Sequence, residues 1–100
     1  MLESAVEAKL VRGVKALGGI AYKFVSPGTA GVPDRIVVLP GGRVIFAELK
    51  TDTGCLSPGQ RAQLDRLRAL GAEAVVVRGQ AGVSEFLDRC KGVCGYAHDR

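Results

Sequence analysis

The chain has 100 residues, 47% of them hydrophobic, and fourteen Lys and Arg against ten Asp and Glu leave a net charge of +4. That length holds one domain with a real core, and the composition excludes a disordered chain. No apolar run approaches the ~20 residues that cross a bilayer, and the first residues lack the charged-then-apolar order of a secretion signal, so an intracellular protein with no membrane partner is expected.

Residues 2–17 read as a helix, because Val6, Leu10, Val14 and Leu17 recur at helical spacing and Gly18-Gly19 ends the run. On a wheel of 100° per residue Glu3 falls in the middle of this apolar stripe and Glu7 at its edge. A carboxylate there needs a partner, or else Glu3 lies in a frayed first turn where it meets the helix dipole. Residues 20–25 form a short strand with Lys23 reaching outward. A loop of small residues, Ser26 to Gly31, then delivers the chain to Pro33-Asp34.

The next two strands, Ile36 to Leu39 and Val44 to Lys50, are joined by Pro40-Gly41-Gly42. If Leu39 and Arg43 close a three-residue loop, each residue faces its mirror image across Gly41, and Asp34 faces Glu48. A two-residue Gly41-Gly42 turn would instead set Asp34 against Leu49. In the first register two carboxylates share a face with Cβ atoms about 5 Å apart, which is destabilising unless something neutralises them. A divalent cation such as Mg²⁺ does so, and keeps waters for a phosphate substrate. Lys50 emerges on the same face, beyond Ile36, Val38, Val44 and Phe46. The plainer reading makes Asp34 a strand cap and Glu48 with Lys50 a solvated ion pair.

Ser57-Pro58 reads as an N-cap with proline at the first helical position of a helix ending at Gly71. Leu64 and Leu67 set its buried stripe, and Gln60 lies on that stripe one turn earlier. Its amide must find a partner: a water, a phosphate oxygen, a neighbour of Lys50, or the helix start itself. Arg61, Arg66 and Arg68 project elsewhere, where phosphates could meet them. Residues 72–78 carry Ala74-Val75-Val76-Val77, a run that suits an interior strand covered on both faces. Residues 83–90 make a last short helix, so the domain spans 1–90 and 91–100 form a tail. Cys90, Cys94 and His98 repeat every fourth residue and could share a helix face as ligands, but Gly92 and Gly95 interrupt them and no fourth ligand follows.

Four blocks in order, Glu3-Ser4-Ala5-Val6-Glu7, Gly31-Val32-Pro33-Asp34-Arg35, Phe46-Ala47-Glu48-Leu49-Lys50 and Ser57-Pro58-Gly59-Gln60, resemble the small stand-alone VRR-Nuc domains of phages and bacteria, within the PD-(D/E)xK nuclease superfamily. The resemblance implies an α/β, restriction-endonuclease-like αβββαβ core, a central mixed sheet flanked by helices. It implies an Mg²⁺- or Mn²⁺-dependent DNA endonuclease. Asp34, Glu48 and the Leu49 carbonyl would hold the metal, Lys50 would activate the attacking water, and Gln60 would assist the lysine or a phosphate. Glu3, or alternatively Glu7, would complete the site, while Lys23, Arg35 and Arg61 would meet DNA. A homodimer acting on branched DNA such as a four-way junction is implied too, in the cytoplasm of a bacterium or phage-infected host. The competing reading keeps the fold and basic surface as a non-catalytic DNA-binding or regulatory module; a structural zinc protein built on Cys90, Cys94 and His98 is a third.

Overall fold

The hairpin that sets the register closes in the first of the two ways its glycines allow. In the computed structural model, which describes the backbone of residues 3–98 and the side chains of residues 4–91, Leu39 N–H donates to the Arg43 carbonyl at 2.8 Å and Gly42 N–H donates back to Leu39 at 3.0 Å. Gly41 and Gly42 sit at φ +91° and +86°, a region L side chains avoid. The three-residue loop therefore sets Ile36 opposite Phe46 and Val38 opposite Val44. A slip of one residue would turn every side chain to the other face of the sheet.

Seven elements follow in the order α1 (Glu3–Ala16), β1 (Ile20–Lys23), β2 (Arg35–Val38), β3 (Val44–Lys50), α2 (Pro58–Ala69), β4 (Glu73–Arg78) and α3 (Gly79–His98). The strands form one mixed sheet in the order β1-β2-β3-β4, antiparallel up to β3, with β4 parallel to β3. This is the restriction-endonuclease-like αβββαβ core, extended by α3. Helices α1 and α3 cover the face that carries Ala21, Val37, Ile45, Ala47, Leu49 and Val77, and Val6, Leu10 and Val14 of α1 are completely buried against it. Each such side chain contributes about 1.5–3 kcal/mol by leaving water.

Helix α2 packs on β4 from the opposite side. There the pleat presents Ile36, Val38, Val44 and Phe46, with Asp34, Glu48 and Lys50 beyond them at one end. The outer part of this face is open, with Ile20 45%, Tyr22 56% and Val44 43% exposed.

Two expectations need correction. β4 is an edge strand and not an interior one; its continuous apolar run reflects helices on both faces, α2 and α3, rather than a strand on each flank. The last helix is also longer than residues 83–90, because it opens at Gly79 straight from β4 and continues through Lys91 to His98, where a tail was expected. Cys90 is buried in the core, while the side chains of Cys94 and His98 lie outside the described residues.

At the hairpin end, Arg43 forms an ion pair with Glu73 on β4, its Nε 2.9 Å from Glu73 Oε1. The hydrogen bond from Arg43 holds the Glu73 carboxyl below the usual carboxylate range, with Arg89 adding to the effect. A carboxyl lowered on folding contributes stability that is present above its unfolded pKa and lost as pH falls through the folded one. Because the pair is open to solvent, Glu73→Gln is expected to cost only about 0.5 kcal/mol at neutral pH. In denaturant melts at a series of pH values, that gap should close below about pH 4.

Candidate active site

The site forms where β2 and β3 run out of regular ladder. One step past the assigned end of β2, Asp34 accepts Leu49 N–H through Oδ2 at 2.8 Å. Its own carbonyl accepts Phe24 N–H at 2.9 Å, which ties the turn to the chain beyond β1. The Asp34 carboxylate thus rests on the peptide unit joining Glu48 to Leu49. Continuing the register past the assigned strand sets buried Pro33 opposite Leu49. Proline has no N–H to give, so the ladder donor that the Leu49 carbonyl would meet there is missing.

Glu48 is 2% exposed, the one charged residue in the core among the described residues. Burying a carboxylate is costly unless it is paired and hydrogen-bonded. Its Oε2 accepts Gln60 Nε2–H at 3.0 Å and lies 3.6 Å from Lys50 Nζ. The Lys50 side chain is 14% exposed, so this ion pair is not the solvated surface pair of the plainer reading.

Gln60 reaches Glu48 because the start of α2 is fixed. Ser57 Oγ accepts Gln60 N–H at 3.1 Å, and Gln60 Oε1 accepts Ser57 N–H at 2.9 Å, a reciprocal capping box. The small-residue loop before Pro33 presses on the same helix start. Gly31 has φ +85°, and a Cβ there would stand 2.8 Å from the Gly59 carbonyl carbon. Arg78, at the end of β4, donates to the Gly54 carbonyl and pins the polar connection between β3 and α2.

Asp34, Glu48, Lys50, Leu49 and Gln60 are therefore brought together. Glu7 is not among them. It lies on the α1 face of the sheet, where its Oε2 accepts Arg35 Nη2–H at 2.8 Å and Nε–H at 3.1 Å. Arg35, expected at the DNA, also donates Nη1–H to the Ala21 carbonyl, so its guanidinium serves the fold. Lys23 and Arg61 are exposed. Glu3 opens α1 one turn before Glu7. Its side chain falls outside the described residues.

Among the described residues no three His, Cys, Asp or Glu gather as a metal-binding group. Asp34 and Glu48 are a pair of acids. The donor set, two carboxylates and a backbone carbonyl, is made of hard oxygens and fits Mg²⁺ or Mn²⁺ better than zinc.

The local sequence signalled most of these residues by charge at a strand end. The Glu7–Arg35 pair and the Asp34 contact with the Leu49 amide gave no such signal, since each joins residues brought close only by the sheet. Comparison with known proteins adds to the geometry. The model of the VRR-NUC domain family matches residues 6–81, a segment that holds Asp34, Glu48, Lys50 and Gln60 and begins after Glu3. A solved VRR-NUC domain superposes with a TM-score of 0.82 at 31% identity, covering 86% of this chain and 94% of the other. A second solved VRR-NUC domain protein, at 21% identity, superposes with a TM-score of 0.66 over 90% of this chain and 88% of its own, a likeness of fold. A protein of Acyrthosiphon pisum secondary endosymbiont phage 1, named "Putative nuclease p44", is 49% identical over 78 residues, 78% of this chain and 84% of the phage protein.

Fold and constellation define a restriction-endonuclease-like α/β domain with two acids and a lysine converging where its central strands end. The chain belongs to the VRR-NUC domain family, a family of nucleases.

Proposed function

We propose that this protein is a metal-dependent, structure-specific DNA endonuclease of the PD-(D/E)xK type that hydrolyses phosphodiesters in branched DNA such as four-way junctions. The observation that carries the reading is Glu48, a buried carboxylate held between Gln60 and Lys50 beside Asp34. A structural core has no use for such a group, and a phosphodiesterase has two.

Asp34, Glu48 and the Leu49 carbonyl would hold Mg²⁺ or Mn²⁺, with Glu3 completing the set. A bound divalent ion lowers the pKa of water and offsets charge on the phosphate. The remaining work falls to the protein. Lys50, paired with Glu48, orients the attacking water and stabilises the negative charge that grows on the non-bridging phosphate oxygens. A new bond forms between the water oxygen and phosphorus as one P–O ester bond breaks, leaving a phosphomonoester and a sugar oxygen that takes a proton from solvent water to become a hydroxyl. The proton lost by the water passes to solvent through the polar end of the site. Exposed Lys23 and Arg61 supply phosphate contacts along the duplex arms.

A single chain carries one such site, and cutting a junction symmetrically needs two. The open face with Ile20, Tyr22 and Val44 supports a homodimer. These exposed side chains are apolar and offer phosphates little, so their occupant is a second copy presenting the same strands, and the patch continues into the catalytic end of the sheet.

The test offers a four-way junction, a flap and linear duplex to the protein with Mg²⁺, Mn²⁺ or chelator, and determines its mass in solution. Junction cleavage that stops in chelator, by a species of twice the 10.5 kDa chain mass, is the expected result. Binding of the junction with no cleavage in either metal would instead select the non-catalytic module.

A further inference from the structure

We propose that Gln60 is a positioning residue whose amide is held in one orientation by the α2 cap so that it can aim Glu48; the inference rests on the nuclease reading above. The two ends of the Gln60 amide meet unambiguous partners. Ser57 contributes a backbone N–H, which only donates, and it takes Oε1 at 2.9 Å. With Oε1 so engaged, the Nε2–H end is left for Glu48, whose Oε2 accepts it at 3.0 Å. A flipped amide would lose both bonds at once.

The choice of residue type carries the argument further. At the third position of a capping box Glu serves as well as Gln, because either side chain offers an oxygen to the N-cap N–H. A cap alone would tolerate glutamate here. Facing buried Glu48 at hydrogen-bonding distance, only the amide can satisfy the cap and donate to the carboxylate together. Lys50 Nζ on the same oxygen, 3.6 Å away, then has a fixed partner to be measured from. Helix α2 is in this way an orienting brace for an acid on β3, and its start is in turn set by the close approach of Gly31 to Gly59. Partners that orient ligand side chains are commonly worth 10–100-fold in metal affinity or activity.

The experiment compares Gln60→Glu and Gln60→Met with the wild-type chain. Gln60→Glu keeps the cap oxygen but replaces the donor by a second carboxylate facing buried Glu48, so its melting temperature is expected to fall by several degrees, and junction cleavage measured where the variant is still folded is expected to fall about 10–100-fold. Gln60→Met is expected to weaken Mn²⁺ binding, measured without DNA by the spin-resonance signal of free Mn²⁺, by about tenfold or more. In metal-free, nitrogen-labelled protein the Gln60 side-chain amide protons should exchange with solvent about tenfold more slowly than an exposed glutamine, and Glu48→Ala should remove that protection. Wild-type cleavage by Gln60→Glu, or wild-type Mn²⁺ affinity in Gln60→Met, overturns the proposal and leaves Gln60 a cap. A wild-type chain that cuts no DNA while both DNA-free readouts behave as expected overturns the nuclease reading and leaves Gln60 as the brace of a cation site.

Discussion

Replacing Asp34 by Asn is expected to reduce junction cleavage by about 10³-fold or more while the melting temperature stays within about 3 °C of wild type. The two effects separate because Asp34 has two jobs on the same carboxylate. One oxygen accepts Leu49 N–H and stands in for a missing rung of the β2–β3 ladder; asparagine still offers an oxygen there. The negative charge is what a divalent cation and the nucleophilic water require, and asparagine lacks it. Asp34→Ala is a cruder test, since it also leaves the Leu49 amide without its acceptor. A cleavage assay run beside a thermal melt measures both jobs. Full activity in Asp34→Asn would mean that the acid pair on these strands is structural.

The largest effect on stability is expected at Gly31. Its φ of +85° costs a residue with a Cβ about 1–2 kcal/mol. A Cβ would also stand 2.8 and 2.9 Å from the carbonyl carbon and oxygen of Gly59, backbone that cannot turn aside as a side chain could, and overpacking of this kind costs a further 1–3 kcal/mol or so. Gly31→Ala should therefore destabilise the domain by about 3 kcal/mol, which lowers the melting temperature by roughly 12–24 °C in a chain of this size. The loss of activity should exceed the loss of folded protein, because the residues displaced are Gly59 and Gln60 and the latter holds Glu48. Chemical denaturation with parallel cleavage at a temperature where the variant is folded separates the two. A variant as stable as wild type would show that the loop and α2 do not press together in solution.

Much of this arrangement was readable from the chain before any coordinates. Pro40-Gly41-Gly42 announced the hairpin but allowed two registers; the bond from Leu39 N–H to the Arg43 carbonyl, with Gly41 and Gly42 both at positive φ, selects the three-residue loop, the one that carries Asp34 across from Glu48. Ser57-Pro58 with Gln60 announced both the helix start and the capping box. What stayed hidden depends on which elements meet in space. The apolar run of β4 looked interior because two helices shield it, and sequence does not distinguish a helix above a strand from a strand beside it. Gly92 and Gly95 were expected to interrupt a helix beyond Cys90, yet α3 runs on to His98; a glycine costs a helix only about 1 kcal/mol. Arg35 read as a DNA-binding cation because its partner, Glu7, lies a whole helix and strand earlier in the chain. Gln60 was visible as a buried amide with several candidate partners, a water, a phosphate oxygen, a neighbour of Lys50 or the helix start; the folded chain adds Glu48 as the acceptor of its Nε2–H.

The central claim concerns the end of the sheet where β2 and β3 part. Diffraction from crystals grown with Mn²⁺, recorded at a wavelength where manganese scatters anomalously, tests it without reference to activity. The account predicts a single strong peak within about 2.0–2.4 Å of oxygens from Asp34, Glu48 and the Leu49 carbonyl. A manganese-saturated crystal whose anomalous peaks all lie elsewhere, with Glu48 still closed on Gln60 and Lys50, would contradict it.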